Sequence, residues 1–129
     1  MFMNELLILC FFTTLLVPVI VIIAGIFLDK KTPKKINHIL GYRTVTSMKN
    51  PDTWNFGNKY CGKLWQKMGT VMLIVSLILV LIASILGENV LLCCVSLIIT
   101  IQVAAIILSI FIVEKASKEK FDENGEPIS

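Results

Sequence analysis

Three apolar blocks without charge decide what this chain can fold into. Residues 6–28, 68–87 and 90–113 contain no Asp, Glu, Lys or Arg. Crossing a hydrocarbon core of about 30 Å takes ~20 apolar residues in a helix, and each block reaches that length. Backbone groups in lipid must pair within their own segment, which requires helices; barrel strands would alternate in polarity, and these blocks do not. The expected fold class is an all-α membrane protein with three transmembrane helices. The first block has no basic n-region, runs too long for a secretory signal and is not followed by a small-x-small cleavage site, so it is expected to stay as the first crossing.

The charges orient the crossings. Of the twelve basic residues, all but Lys115, Lys118 and Lys120 lie between Asp29 and Lys67, and the Gly87–Asn89 turn has none. Basic loops stay in the cytosol. The expected placement is a multi-pass protein of the plasma membrane, N-terminus outside and C-terminus cytosolic. It reads as a single membrane domain over 1–129. The first crossing is 6–28, a motif loop with an amphipathic helix fills 29–67, the other crossings are 68–87 and 90–113, and a charged tail of 114–129 frays into disorder.

The connector is the one long polar stretch, and it is rich in aromatic residues. Asp29–Lys35 stops the first helix, with Pro33 opposing continuation. Its lysines would each gain about 1 kcal/mol near an anionic leaflet, so anionic lipids of the bilayer are the expected partners. Gly41 permits a turn that other residues resist. Arg43 is the lone arginine, a planar fork suited to a carboxylate, phosphate or carbonyl cluster. Asn50-Pro51-Asp52 reads as a helix start, cap then first turn then acid at the positive end. On a wheel from there, Trp54, Gly57, Cys61, Leu64, Trp65 and Met68 share one arc and Lys59, Lys63, Lys67, Asp52 and Gln66 the opposite one. This predicts a basic amphipathic helix in the interface plane on the cytosolic side, with Trp54 and Trp65 as anchors beside Lys59, Lys63 and Lys67.

Inside the crossings, Gly69, Ser76 and Ala83 form one small-residue stripe and Ser96, Thr100 and Ala104 a second, both expected to pack helix on helix and both able to support a homo-oligomer. Gln102 is expected to hydrogen-bond across helices, and Pro18 to bend the first one. The four cysteines, Cys10, Cys93 and Cys94 in apolar blocks and Cys61 in the reducing cytosolic segment, give no disulfide framework and are read as small buried hydrophobes.

Much chemistry is missing. No carboxylate lies deep in a crossing, where a proton-coupled exporter would keep one. There is no phosphate-binding glycine loop and no HExxH, and the single histidine, His38, has no partners at ligand spacing, so no metal and no cofactor is expected. The basic loop shows no nucleic-acid fold. The chain is expected to act without catalysis.

The run INHILGYRT from Ile36 to Thr44, then Ser47, then Asn50 leading to Trp54 and Asn58, then a Gly-containing segment entering a membrane helix, resembles the SdpI family. These bacterial proteins are named for the immunity protein against the sporulation-delaying peptide toxin. The likeness covers about residues 36–113, with the motif G-Y/F-R-T followed by W-x-x-x-N. It implies a plasma-membrane protein of a Gram-positive-type bacterium that confers immunity to a membrane-active toxic peptide by non-catalytic binding. It further suggests signalling through a regulatory protein, a repressor held at the membrane. By position, Gly41, Tyr42, Arg43, Thr44, Trp54 and Asn58 are the motif and partner-binding residues. Two departures stand out: Gly57 occupies a position where the motif has Ala, and the additional N-terminal helices of the longer namesake are not in this chain. A rival class is a small oligomeric transporter or channel subunit, with Gln102 and the Thr13–Pro18 kink lining its pathway.

Overall fold

The computed structural model describes residues 2–32, 35–36 and 39–128, with the side chain of Phe2 excepted. It contains three long helices: α1 (Phe2–Lys30), α2 (Pro51–Leu86) and α3 (Glu88–Lys120). All three are long and apolar enough to cross a membrane, with mean hydropathy of 3.0, 2.8 and 2.8 over their most apolar windows. The chain is therefore an all-helical, multi-pass membrane protein. Pro33, Asn37 and His38 lie outside the described residues, and with them the expected helix stop and the histidine reading.

The amphipathic segment is not a separate helix. It is the first part of α2, whose 36 residues would extend about 54 Å, well beyond a hydrocarbon core of about 30 Å. Nothing in the sequence from Pro51 to Leu86 interrupts the backbone bonding. Of its three glycines, Gly57 faces the loop and Gly62 and Gly69 are held against α1. A Cβ on Gly62 would fall 2.5 Å from the Asp29 nitrogen and 2.6 Å from the Gly25 carbonyl oxygen, both backbone atoms. The small stripe of α2 thus runs Gly62, Gly69, Ser76, Ala83, all four buried, and α1 packs chiefly on it and touches α3 least.

In α3 the expected ridge is reversed. Ser96, Thr100 and Ala104 are all exposed, and the two hydroxyls bond back to the carbonyls of Leu92 and Ser96 in their own helix. The buried side of α3 is Leu91, Ile98, Gln102, Ser109, Val113 and Ser117. A hydroxyl satisfied within its own helix can face lipid without cost, so small size alone did not mark the packed face.

Gln102 ties the bundle together. Its amide nitrogen donates to the Thr14 carbonyl of α1 at 3.0 Å and to Ser76 Oγ of α2 at 2.9 Å. Pro18 lies four residues after Thr14 and has no N–H to offer that carbonyl. Gln102 supplies the missing donor, and α1 stays one helix through Pro18. This amide is 2% exposed, so it does not line a polar pathway.

One residue, Gly87, links α2 to α3 at φ +117°, the left-handed region that favours glycine. The tail after α3 is ordered rather than frayed. Phe121 is buried and bridges to Pro127. Asp122 Oδ1 accepts the backbone N–H groups of Asn124 and Glu126, each at 2.9 Å, and Ile128 N–H donates to the Lys120 carbonyl at 2.8 Å. A charged composition suggested disorder; the Asp-initiated turn and the Phe121 anchor stabilise the fold-back.

Candidate functional site

The motif loop is built onto the start of α2 by short polar side chains. Asn50 Oδ1 accepts the Thr53 N–H at 2.9 Å, and Thr53 Oγ1 accepts the Asn50 N–H at 3.0 Å, a reciprocal cap. Asn50 Nδ2 also donates to the Gly125 carbonyl at 2.7 Å, which fastens the tail to this helix start. The Thr53 hydroxyl reaches the Ser47 carbonyl at 3.1 Å. Ser47 and Thr44 exchange bonds, Thr44 N–H to Ser47 Oγ at 2.8 Å and Ser47 N–H to Thr44 Oγ1 at 3.1 Å. Residues 44–48 thereby form a closed turn.

Asn58 holds the loop to the helix. Its Oδ1 accepts the Tyr42 N–H at 2.6 Å, and its Nδ2 donates to the Tyr42 carbonyl at 3.3 Å and to the Trp54 carbonyl at 2.9 Å. The carboxamide pairs with the Tyr42 backbone as a neighbouring strand would, and both its donors and its acceptor are used. Asn58 and Trp54 are each fully buried, at 0% exposure, and four residues apart they share one helix face.

Gly41 is required twice over. Its φ of +104° is the left-handed region, and a Cβ there would meet Asn58 Oδ1 and Trp54 Cη2, each at 2.8 Å. The indole of Trp54 is thus the floor under Gly41. It is enclosed by protein and does not reach lipid, because the arc it shares with Gly57, Asn58 and Cys61 is the arc that receives the loop. Trp65 is half-buried and donates from Nε1 to Ser109 Oγ on α3 at 2.9 Å. Lys59, Lys63 and Lys67 are exposed on the other side of α2.

Tyr42 carries the loop to α3. Its hydroxyl donates to Glu114 Oε1 at 2.7 Å. Burial, and then this bond to Glu114, push the phenol well above its ordinary pKa and keep it protonated. Burial raises Glu114 too, but hydrogen bonds from Thr44, Tyr42 and Thr46, with the nearby Lys118 charge, outweigh that and hold its carboxyl below the usual range.

Between α1 and α3 the loop bridges a groove of about 430 Å³. It is lined by Phe27 and Leu28 of α1, Cys61 and Trp65 of α2, Ile110 of α3, and Leu40, Tyr42 and Arg43 of the loop. Arg43 is exposed at this rim. The structure brings together Gly41, Tyr42, Thr44, Trp54 and Asn58 in one unit, with Arg43 exposed beside it. Cys61 is buried beneath the loop.

The family model described as "SdpI/YfhL protein family" matches residues 34–113. The chain belongs to the SdpI/YfhL family. The uncharacterized protein YfhL of Bacillus subtilis (strain 168) is 32% identical over 99 residues, which cover 77% of this chain and 80% of YfhL. No solved structure matches the chain. Sequence reasoning overlooked Gly62, whose signal was its seven-residue spacing from Gly69 on α2, and Gly25 of α1, which packs against it. It overlooked Thr53 as well, although a threonine three residues after an Asn cap is a signal for a reciprocal cap. Glu114 left no signal, since it is 72 residues from the Tyr42 that it binds.

Proposed function

We propose that this SdpI/YfhL-family protein sits in a bacterial plasma membrane, C-terminus in the cytosol, and binds a membrane-active toxic peptide without catalysis, protecting the cell. The observation that carries this reading is the groove between α1 and α3. Its walls are apolar, Arg43 stands at its rim, and its closing loop is held in one geometry by Asn58 and Gly41. A preformed groove of this kind suits an amphipathic peptide, because the binding side carries little ordering cost. Gln102 is consumed in helix packing, which leaves the transport alternative without its polar lining.

The test is expression in a bacterium sensitive to the sporulation-delaying peptide, followed by challenge. Cells carrying the chain should survive where vector controls die. Arg43→Ala should lower survival at unchanged membrane levels. Equal killing of cells with and without the chain, across membrane-active peptides of this class, would refute the immunity reading.

A further inference from the structure

The returning tail rests on the residue that joins the motif loop to α2. Asn50 caps α2, and the same side chain donates from Nδ2 to the Gly125 carbonyl at 2.7 Å. Gly125 is buried, with φ +80°. A Cβ on it would fall 2.5 Å from Asn50 Nδ2 and 3.3 Å from Lys49 Cβ. The tail thus meets Lys49 and Asn50 at close range, at a backbone angle that favours glycine. Gly125 N–H donates to the Asp122 carbonyl at 3.0 Å, and Asp122 N–H to the Glu126 carbonyl at 2.8 Å, which closes the turn that presents Gly125. Phe121 is 5% exposed and meets the Phe56 ring of α2 edge-on at 5.7 Å, which anchors the start of the tail.

The loop is therefore held from two sides. On one, Asn58 of α2 pairs with the Tyr42 backbone. On the other, Glu114 of α3 takes the Tyr42 hydroxyl, and Gly125 of the tail fixes Lys49 and Asn50. Cys61 is 1% exposed and packs in one cluster with Tyr42, Leu28 and Val113. A chain end anchored by one ring and a few bonds opens at lower cost than the helices it touches. We propose that residues 121–128 are a latch on the motif loop. Docked on Asn50, they keep Tyr42 closed over Cys61; released, they let the loop lift. Gly41, Tyr42 and Thr44 also line the groove between α1 and α3, so the state of the latch sets whether that groove keeps its shape. The inference rests on the loop's own contacts and holds whatever the groove binds.

The full chain, purified in neutral detergent, is treated with N-ethylmaleimide, and modification of Cys61 is timed by peptide mass spectrometry. Asn50→Asp separates the latch from the cap. Its Oδ1 still accepts the Thr53 N–H, and an acid suits the positive end of a helix, but its second oxygen has no hydrogen to give Gly125. Cys61 should react about tenfold faster, as loss of one hydrogen bond from the closed state predicts. Gly125→Ala attacks the same contact from the tail and should do the same. Glu123→Gln, an exposed change in the tail, should leave the rate within about twofold. Removing residues 121–129 should accelerate the reaction at least as much as Asn50→Asp. Asn50→Asp added to that truncation should then change nothing further, because both act through one contact. A gain from Asn50→Asp that persists without the tail would show a weakened cap and overturn the latch. Should the truncated chain fail to fold, the two single changes decide. Unchanged rates in both, or a gain in only one of them, would overturn the proposal.

Discussion

The two ends of this molecule are stabilised by different physics. At the loop end, side chains of Asn50, Thr53, Ser47 and Asn58 make bonds with fixed partners at fixed distances. In the spanning part, the far-end core of Cys10, Val80, Ala83, Leu91 and Ile98 is apolar packing, with Gln102 as its cross-helix amide. Bonds of the first kind fail when one atom is lost, because a buried partner is then orphaned. Packing of the second kind tolerates exchange of similar volumes, since lipid is as apolar as the side chains. The lesson is that the family motif is a construction kit for one rigid loop, while the crossings hold it at a given depth.

The sharpest way to break this contrast is Asn58→Ala. It strands the buried Tyr42 N–H, worth about 1–3 kcal/mol, while the Tyr42 carbonyl keeps the Ser47 hydroxyl as a donor. Melting in detergent should fall by a matching amount, and Trp54 emission should move to the red as the indole gains water. Gly62→Ala comes next. Its methyl would press on backbone at both Asp29 and Gly25, and overpacking of this type costs about 1–3 kcal/mol. Should Gly62→Ala be neutral, the close approach of α1 and α2 would not matter to stability.

A smaller effect is expected for Tyr42→Phe, about 1 kcal/mol, since the ring keeps its place and only the hydroxyl's bonds to Glu114 and, at longer range, the Ile110 carbonyl go. Gln102→Leu should cost less still, about 0.6 kcal/mol, the usual size of a hydrogen bond between membrane helices. One reason is that Gln102 Oε1 is buried with no partner, so the change also removes an unsatisfied acceptor. A loss at Gln102 larger than at Asn58 would invert the comparison. The smallest effect concerns acid. Because Glu114 titrates below its ordinary value when folded, its contribution is present above the unfolded carboxylate pKa of about 4.3 and fades as pH falls through the folded value. The loop should loosen below about pH 4, visible in protease cutting near Val45, and Glu114→Gln should remove that dependence.

How much of this was legible beforehand follows from the range of each interaction. The crossings were readable because twenty apolar residues in a row have few other fates. The Asn50–Pro51 helix start was readable because capping is local. The burial of Trp54 was not, since an arc of apolar residues fits a lipid surface and a protein surface equally well. What decided it was Gly41, thirteen positions upstream, whose missing side chain makes room for the indole. The α3 ridge misled for a related reason. Small residues permit close packing but do not demand it, and only the partner helix shows which side is used. The tail was misjudged because its charges outnumbered the single Phe121 that pins it.

The proline in α1 and the amide in α3 answer one another. If the Pro18 position carried an ordinary residue, its own N–H would serve the Thr14 carbonyl, and the glutamine would lose a main reason to be there. In relatives that lack this proline, an aliphatic residue should stand in place of Gln102, so the two positions should change hands together during descent even though they are far apart along the chain.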